Sequence, residues 1–365
     1  MTPTNDDRRF IQQCFDLALE AEGRTSPNPI VGAVVVSKDG EVVGKGFHPK
    51  AGEPHAEVFA LDEAGEKARG GTIYVSLEPC CHHGKTPPCT DQVIASGVKK
   101  VVAAMTDPNP KVAGVGFEKL RAAGIEVVEP VLEEKARWHN RAFIKVITTG
   151  MPWVTLKLAS TLDGKIADRT GTSKWITGPE ARKYVHELRN RMDCVLIGAA
   201  TARLDNPELN VRDIYRSRNP KRAVIDPNLT IDPASRLCDA STGGDTIIYC
   251  SEQAQQIRYP STVQVVRVPK LTEKLDLQHI LKDLKSRQVS SVLCEGGGNL
   301  AGALLAENLV DELIFIIAPA ILGDEKGTPS IASGKEIRLN DMKRFSHLSS
   351  TVLGEDTVIH MKNSS

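Results

Sequence analysis

His55, Cys80 and Cys89 offer one imidazole and two thiolates, a ligand set suited to zinc, and Glu57 stands two residues beyond the histidine as a carboxylate outside that set. Three protein ligands leave the metal's fourth position open. A water bound there has its pKa lowered from about 15.7 to about 7, so a zinc-bound hydroxide exists at neutral pH. A carboxylate beside such a nucleophile can take and return its protons.

The order H-x-E followed by P-C-x-x-C is the pattern of zinc nucleobase deaminases, in which the glutamate is the general acid/base and not a ligand. His55-Ala56-Glu57 and Pro79-Cys80 follow it literally. Cys89 departs from it, because Cys81-His82-His83-Gly84-Lys85-Thr86-Pro87-Pro88 separates it from Cys80 and must loop out to return it to the metal. The insert admits a second reading, a closed structural zinc site built from Cys80, Cys81 or His83, and Cys89. Such a site needs a fourth ligand and leaves Glu57 without a task. Glu57 opens the apolar, helix-like run Ala56 to Leu61, from which it and His55 can border one small pocket.

The elements that must carry these residues follow from periodicity. Asp6 to Glu22 reads as an opening helix, Ile30 to Ser37 and Glu41 to Phe47 as strands joined by Lys38-Asp39-Gly40, and His55 to Lys67 as a helix. Strands at Thr72 to Leu77, Lys99 to Met105 and Ile125 to Val128 then alternate with helices at Thr90 to Ser96, Val112 to Ala123 and Leu132 to Lys145. That alternation argues for a layered α/β domain. Thr148-Thr149-Gly150-Met151-Pro152 breaks the pattern and sets a first domain at 1–149 and a second at 150–365. In the second, strands are expected at Trp153 to Ala159, Cys194 to Gly198, Arg222 to Asp226, Thr246 to Cys250, Val263 to Val268, Ser291 to Cys294 and Glu312 to Ile317. Helices are expected at Pro179 to Arg191, Asp276 to Arg287 and Asn299 to Glu307, and the tail from Lys362 to Ser365 as frayed.

Composition narrows the class of partner. A length of 365 residues suits two domains at about 150 residues each. Lys+Arg and Asp+Glu balance at 46 each, which offers no electrostatic footprint for nucleic acid and favours a small-molecule substrate. Of eight cysteines, five lie scattered in apolar or helix-like contexts and read mainly as buried free thiols, not as a disulfide framework. No apolar stretch approaches the ~20 residues that span a bilayer, and Met1 to Arg9 is polar with no signal-peptide core after it, so a cytosolic location without membrane contact is expected.

A second chemistry lies late in the chain. Glu295-Gly296-Gly297-Gly298-Asn299-Leu300-Ala301 joins a predicted strand to a predicted helix, where bare N–H groups can cradle phosphate. Its spacing meets the dinucleotide fingerprint, but that fingerprint belongs in the first βαβ unit of a domain, and a plain tight turn is equally open. Arg189, Arg203 and Arg212 supply guanidinium forks suited to phosphate, or merely solvated surface charge.

Taken together, these motifs resemble one family across essentially the whole chain: the bifunctional riboflavin-biosynthesis deaminase/reductases. The resemblance rests in the first half on Thr25-Ser26-Pro27-Asn28-Pro29, Gly46-Phe47-His48, His55-Ala56-Glu57 and the run Glu78 to Cys89, whose long insert is that family's own form. In the second half it rests on Ser160-Thr161-Leu162-Asp163-Gly164-Lys165, Ser173 with Trp175, Asp205-Asn206-Pro207 and Glu295-Gly296-Gly297.

The resemblance implies a cytidine-deaminase-like α/β/α domain followed by a dihydrofolate-reductase-like α/β domain, with Zn2+ and NADPH as cofactors. His55, Cys80 and Cys89 would hold the metal and Glu57 would be catalytic, with Asn28, His48, Lys85, Asp107 and Asn109 lining the deaminase pocket. Asn28 and Asn109 sit beside prolines and can also be turn residues, and His48 can simply cap a strand. Ala159, Trp175, Thr201, Asp205, Gly297, Gly298 and Asn299 would contact NADPH, although Trp175 can equally be core. Lys157, Ser173, Arg189, Leu209, Arg212 and Glu295 would contact the reductase substrate. The implied partners are small phosphorylated pyrimidines, with no nucleic acid or membrane, in a homo-oligomer, dimer or tetramer. Two other readings stay open: a lone deaminase of free nucleotides or tRNA with a C-terminal binding or oligomerisation domain, and a zinc-stabilised binding module without catalysis.

Overall fold

The computed structural model describes residues 2–82, 87–110, 112–215, 218–271, 273–334 and 336–364. The chain divides into two compact units, Met1–Gly150 and Met151–Ser365. In the first, α1 (Asn5–Leu19), β1 (Gly32–Val36), β2 (Val42–Phe47), α2 (Ala56–Ala64), β3 (Thr72–Val75), α3 (Cys89–Ala95), β4 (Lys100–Ala103), α4 (Val115–Ala122), β5 (Glu126–Val128), α5 (Glu133–His139) and α6 (Arg141–Thr149) follow one another. Its described strands form a five-stranded sheet in the order β2-β1-β3-β4-β5, with β1 antiparallel to both neighbours and β3, β4 and β5 parallel.

Local chemistry explains how the helices reach the sheet. Thr4 and Asp7 form a reciprocal capping box that starts α1. Glycines set the approach of helix to strand: a Cβ on Gly32 would fall 2.0 Å from the Cys14 carbonyl oxygen of α1. On Gly44 and Gly46 it would fall 2.0 Å from Ala60 O and 2.4 Å from Ala56 O of α2. The start of α2 is thereby pressed onto the end of β2, which brings the segment from His55 to Glu57 close to His48.

The single helix expected over Leu132 to Lys145 is two helices meeting at Asn140. The buried Asn140 side chain explains the break. Its Oδ1 accepts from Ile30 N (2.9 Å) and its Nδ2 donates to Ile30 O (3.1 Å), so one amide satisfies both backbone groups of a residue 110 positions away.

The second unit runs β6 (Trp153–Thr161), β7 (Lys165–Ala167), α7 (Pro179–Arg191), β8 (Cys194–Gly198), α8 (Ala199–Asp205), β9 (Lys221–Ile225), β10 (Thr246–Ser251) and β11 (Val263–Val268). Then come β12 (Lys270–Leu271), β13 (Lys274–Leu275), α9 (Leu277–Ser286), β14 (Ser291–Cys294), α10 (Gly298–Ala306), β15 (Glu312–Ala318), β16 (Thr328–Pro329), β17 (Phe345–Leu353) and β18 (Asp356–Asn363). Nine of the described strands form one sheet, β11-β10-β9-β8-β14-β6-β15-β18-β17, parallel from β11 to β15 and antiparallel over the last two pairings. Both faces of its parallel part are covered: along β8, Cys194 and Leu196 join one apolar cluster while Val195 and Ile197 join another. The chain end is ordered strand to Asn363, where fraying was expected, because β18 is held between β15 and β17. No helix among the described residues is long and apolar enough to cross a membrane.

Candidate functional site

In the first unit three loops deliver the predicted ligands to one point. His55 is the N-cap of α2, Cys89 is the first residue of α3, and Cys80 lies on the segment after β3. His55 Nδ1 is 3.2 Å from Cys89 Sγ and 3.6 Å from Cys80 Sγ, and the three ligand atoms all lie within 4.8 Å of one another. Tetrahedral zinc with the usual Zn–S and Zn–N bond lengths requires N···S separations of about 3.6 Å, so this donor set fits that ion. It is also the group of metal-ligating residues found among those described, and it does not contain Cys81.

The electrostatics suit a metal that takes thiolates. The two thiols share a hydrogen bond that lowers the Cys80 thiol against the opposing effect of burial and raises that of Cys89, and the Cys89 amide also donates to Cys80 Sγ at 3.4 Å. Glu57 lies in the first turn of α2, almost fully buried, and burial pushes its carboxyl up to about 7 despite the nearby His55.

The other predicted deaminase residues gather around this cluster in different ways. His48 is 2% exposed and directly follows β2, its amide donating to Val31 O at 2.9 Å. Asn28 Nδ2 donates to His48 Nε2 (3.0 Å) and His48 Nδ1 donates to Pro54 O (3.0 Å), which uses one neutral tautomer; burial lowers its pKa in the same sense. The His48 and His55 rings meet edge to face with centroids 5.2 Å apart. Asp107 is buried and pushed up to about 6, mainly by burial, and its Oδ1 accepts from Asn109 N at 2.8 Å. Asn109 is a turn residue as well, its carbonyl accepting from Val112 N. Lys85 lies outside the described residues.

In the second unit the strand ends of β6, β8, β9 and β14 open into a cleft of about 1360 Å³. Single-ligand pockets commonly run to about 1,000 Å³, so the cleft has room for a cofactor and a substrate together. Lys157, Ala159, Ser173, Trp175, Arg189 and Thr201 all line it. So do Asp205, Leu209, Arg212, Glu295, Gly297, Gly298 and Asn299. The glycine-rich turn lies between β14 and α10 in the middle of the sheet, not in the first βαβ unit. A Cβ on Gly297 would come 3.4 Å from Thr201 Oγ1, and one on Gly298 would come 2.3 Å from Pro329 O, so side chains there would crowd the wall that a dinucleotide must approach. The N–H groups of Gly298 and Asn299 that open α10 have no acceptor within the helix, an arrangement that suits an anion.

One charged cluster in the lining of this cleft is built on Arg189. Arg189 grips Glu295 through two bonds, Nε to Oε1 at 2.6 Å and Nη2 to Oε2 at 2.9 Å, and its Nη1 donates to Asn210 O at 3.1 Å. Burial alone would raise Glu295, but Arg189 and Lys157 hold its carboxyl below the usual range. Burial lowers the Lys157 ammonium, with Glu295 opposing. The Arg189 fork is spent on Glu295, whereas Arg212 is half exposed, with Nη1 donating to Asn210 Oδ1 at 2.9 Å and the carboxylates of Glu208 and Asp213 at 3.8 and 3.9 Å. Ser173 Oγ donates to Asp205 Oδ1 (2.8 Å), which ties the loop before α7 to the end of α8. Trp175 is 69% exposed, with Arg182 stacked 4.5 Å from its ring centre, so it is a cleft wall and not core.

Comparison with known proteins agrees with both halves. The family model for the cytidine and deoxycytidylate deaminase zinc-binding region matches residues 4–105, and that for the RibD C-terminal domain matches residues 152–359. The riboflavin biosynthesis protein RibD of Aquifex aeolicus (strain VF5) is 42% identical over 363 residues, 98% of each chain. That of Escherichia coli (strain K12) is 42% identical over 367 residues, 97% of this chain and 99% of its own. The chain belongs to the RibD family. Two solved RibD-type structures superpose on nearly its full length. Acinetobacter baumannii RibD, form 1, has a TM-score of 0.87 at 37% identity, covering 98% of this chain and 99% of its own. The Thermotoga maritima diaminohydroxyphosphoribosylaminopyrimidine deaminase/5-amino-6-(5-phosphoribosylamino)uracil reductase has a TM-score of 0.88 at 40% identity, covering 98% of both. Membership brings the two-domain α/β fold class, with the cytidine-deaminase-type zinc-binding unit first and the RibD C-terminal domain second.

Residues that sequence reasoning missed are those whose role is to hold others. Glu78 was visible only as part of a motif, and Asn140 only as a helix residue. His186 of α7, buried in the wall of the second cleft, carried no motif. Only a helical register placing it three residues before Arg189 pointed to the cleft.

Proposed function

We propose that the His55, Cys80 and Cys89 cluster with Glu57 deaminates 2,5-diamino-6-(5-phosphoribosylamino)pyrimidin-4-one, and that the cleft of the second unit reduces the ribosyl group of the deaminated product to ribityl. As a RibD protein the chain is a bifunctional enzyme of riboflavin biosynthesis, a zinc-dependent pyrimidine deaminase joined to an NADPH-dependent reductase. The observation that carries the first assignment is the ligand triangle with the buried Glu57 beside it. The fit of three ligands, and the presence of a carboxylate with a use, favour the open site over the closed structural one.

Zinc bound there supplies an activated water at neutral pH. With zinc held by His55, Cys80 and Cys89, Glu57 would carry both protons of the attacking water in turn, the first to the ring nitrogen and the second to the departing amine, so that the C–N bond is exchanged for a carbonyl and ammonia leaves. Asn28, the neutral His48, Asp107, Asn109 and Lys85 orient the pyrimidine and its phosphoribosyl tail.

In the second unit the nicotinamide supplies hydride. Gly297, Gly298, Asn299 and Thr201 seat the pyrophosphate, and Ala159, Trp175 and Asp205 border the rest of the cofactor. Lys157 and Glu295 face the sugar's C1 in its open imine form, with the buried ammonium of Lys157 placed to give the proton that the new amine needs. Ser173, Arg189, Leu209 and Arg212 surround the rest of the substrate, Arg212 toward its 5-phosphate. A balanced net charge and free cysteines support a cytoplasmic enzyme without a nucleic-acid partner, and family kinship supports a homo-oligomer, dimer or tetramer.

The test is ammonia release by the zinc-loaded chain, first without NADPH and then with it. Release without NADPH, followed by NADPH oxidation, is expected. Glu57→Ala should lose about 10²- to 10⁴-fold in ammonia release while still reducing supplied deaminated substrate. Ammonia without any NADPH oxidation would instead leave the second unit as a binding or oligomerisation domain.

A further inference from the structure

Glu78 is 3% exposed and carries its carboxylate into a ring of backbone donors. Oε2 accepts from Asp107 N (3.0 Å) and Gly114 N (2.9 Å), and Oε1 accepts from Gly116 N (2.9 Å) and Phe117 N (3.4 Å). Its own amide donates to Met105 O at 3.0 Å. The donors span the loop from Asp107 to the first turn of α4, whose free N–H groups and positive end favour an anion. Two residues further along the chain from Glu78 is Cys80. Gly116 presses on the peptide between them: a Cβ there would fall 2.4 Å from Pro79 O and 3.0 Å from Glu78 Oε1.

One buried carboxylate thus fastens the segment that carries a metal ligand to the loop that carries Asp107 and Asn109. Backbone groups at four positions converge on it, more than is needed to satisfy one buried acid. Such an anchor fixes the distance between the reacting centre and the wall that orients the substrate, and positioning errors of about 1 Å there cost about 10²-fold in rate.

We propose that Glu78 is a positioning residue of the deaminase site, setting the Asp107–Asn109 loop against Cys80, and that it acts on substrate alignment without touching the substrate. The inference rests on the deaminase reading of the first unit. In Glu78→Gln the amide keeps one acceptor oxygen and turns an NH2 toward the second pair of backbone donors, so one edge of the ring is released without a change of volume.

The experiment uses the full-length, zinc-loaded chain as wild type, Glu78→Gln and Gly116→Ala, the last forcing the same contact apart from the α4 side. Measured are kcat and KM for ammonia release, bound zinc, NADPH oxidation on supplied deaminated substrate, and hydrogen exchange of the peptide spanning 106–118. The expected result is a kcat/KM for ammonia release lowered about tenfold or more in both variants, with zinc stoichiometric, NADPH oxidation unchanged and exchange over 106–118 accelerated. Stoichiometric zinc shows that the first unit is folded, and the unaltered second activity shows that the second is. An unchanged kcat/KM in both variants overturns the proposal, as does a loss of zinc that accounts for the whole loss of activity. A wild type that releases no ammonia overturns the deaminase reading itself, and the proposal with it.

Discussion

Replacing Arg189 by Met tests whether the cleft of the second unit is built around an ion pair or merely decorated with one. The side chains of Arg189 and Glu295 are 13% and 9% exposed, and two short bonds join them. Removing the cation leaves a buried carboxylate without its main partner, which costs about 3–5 kcal/mol, against the ~1 kcal/mol or less of a solvated surface pair. The sign with pH follows from the direction of the shift. In the wild type Glu295 lies below its ordinary value of 4.5, so the pair's contribution is complete above that pH and is lost as the pH falls through the depressed value. In Arg189→Met burial dominates and raises the carboxyl, so the deficit should appear as pH rises past 4.5 and shrink below it. Native-state hydrogen exchange of the β14 amides reports the opening free energy of this unit, with the β4 amides of the first unit as an internal reference. Adding Glu295→Gln should recover at least half of the loss, because the orphan charge is gone. A deficit under about 1 kcal/mol at pH 7, or no recovery in the double variant, would refute the ion-pair account.

Other outcomes follow from the same geometry. Gly298→Ala drives a Cβ to 2.3 Å from Pro329 O, and the resulting shift of the turn, about 1–3 kcal/mol of overpacking, should weaken NADPH binding measured by nucleotide fluorescence while ammonia release is unaffected. Stripping zinc with a chelator should abolish ammonia release, leave NADPH oxidation intact, and make Cys80 and Cys89 reactive toward a thiol reagent, which mass spectrometry of the labelled peptides would reveal. Asn140→Ala orphans both backbone groups of Ile30 and should lower the stability of the first unit by about 1–3 kcal/mol in a urea titration, with the second unit's transition unmoved.

Chemistry carried by neighbours in the chain was readable without coordinates. His55 and Glu57 lie two positions apart at a helix start, and Pro79-Cys80 follows a strand, so the deaminase pattern could be proposed from the sequence, with only the distant Cys89 departing from it. The parallel strands of the second unit were equally legible, since strands such as Cys194–Gly198 and Ser291–Cys294 are continuous apolar runs buried on both faces. The β17/β18 hairpin was not, because Ser346, His347, Ser349, Ser350 and Thr351 give β17 neither a run nor an alternation, and the strand exists by pairing with β18.

Tertiary structure decided whatever joins distant positions. The clamp of Glu78 spans up to 39 residues, the Arg189–Glu295 pair 106, and the Asn140 bridge to Ile30 110. None of these carries a periodic signal, because each side chain is matched to backbone or charge that only folding brings near. Trp175 shows the same limit from the other side: its type allowed core or cleft, and its exposed place beside Arg182 was settled by the fold. Local spacing determined which chemistry this chain could perform, through residue types whose proximity the chain itself guarantees. The fold decided which groups are free to perform it, because burial and long-range partners determine whether a charge such as Arg189 faces a ligand or is already spent on its neighbour.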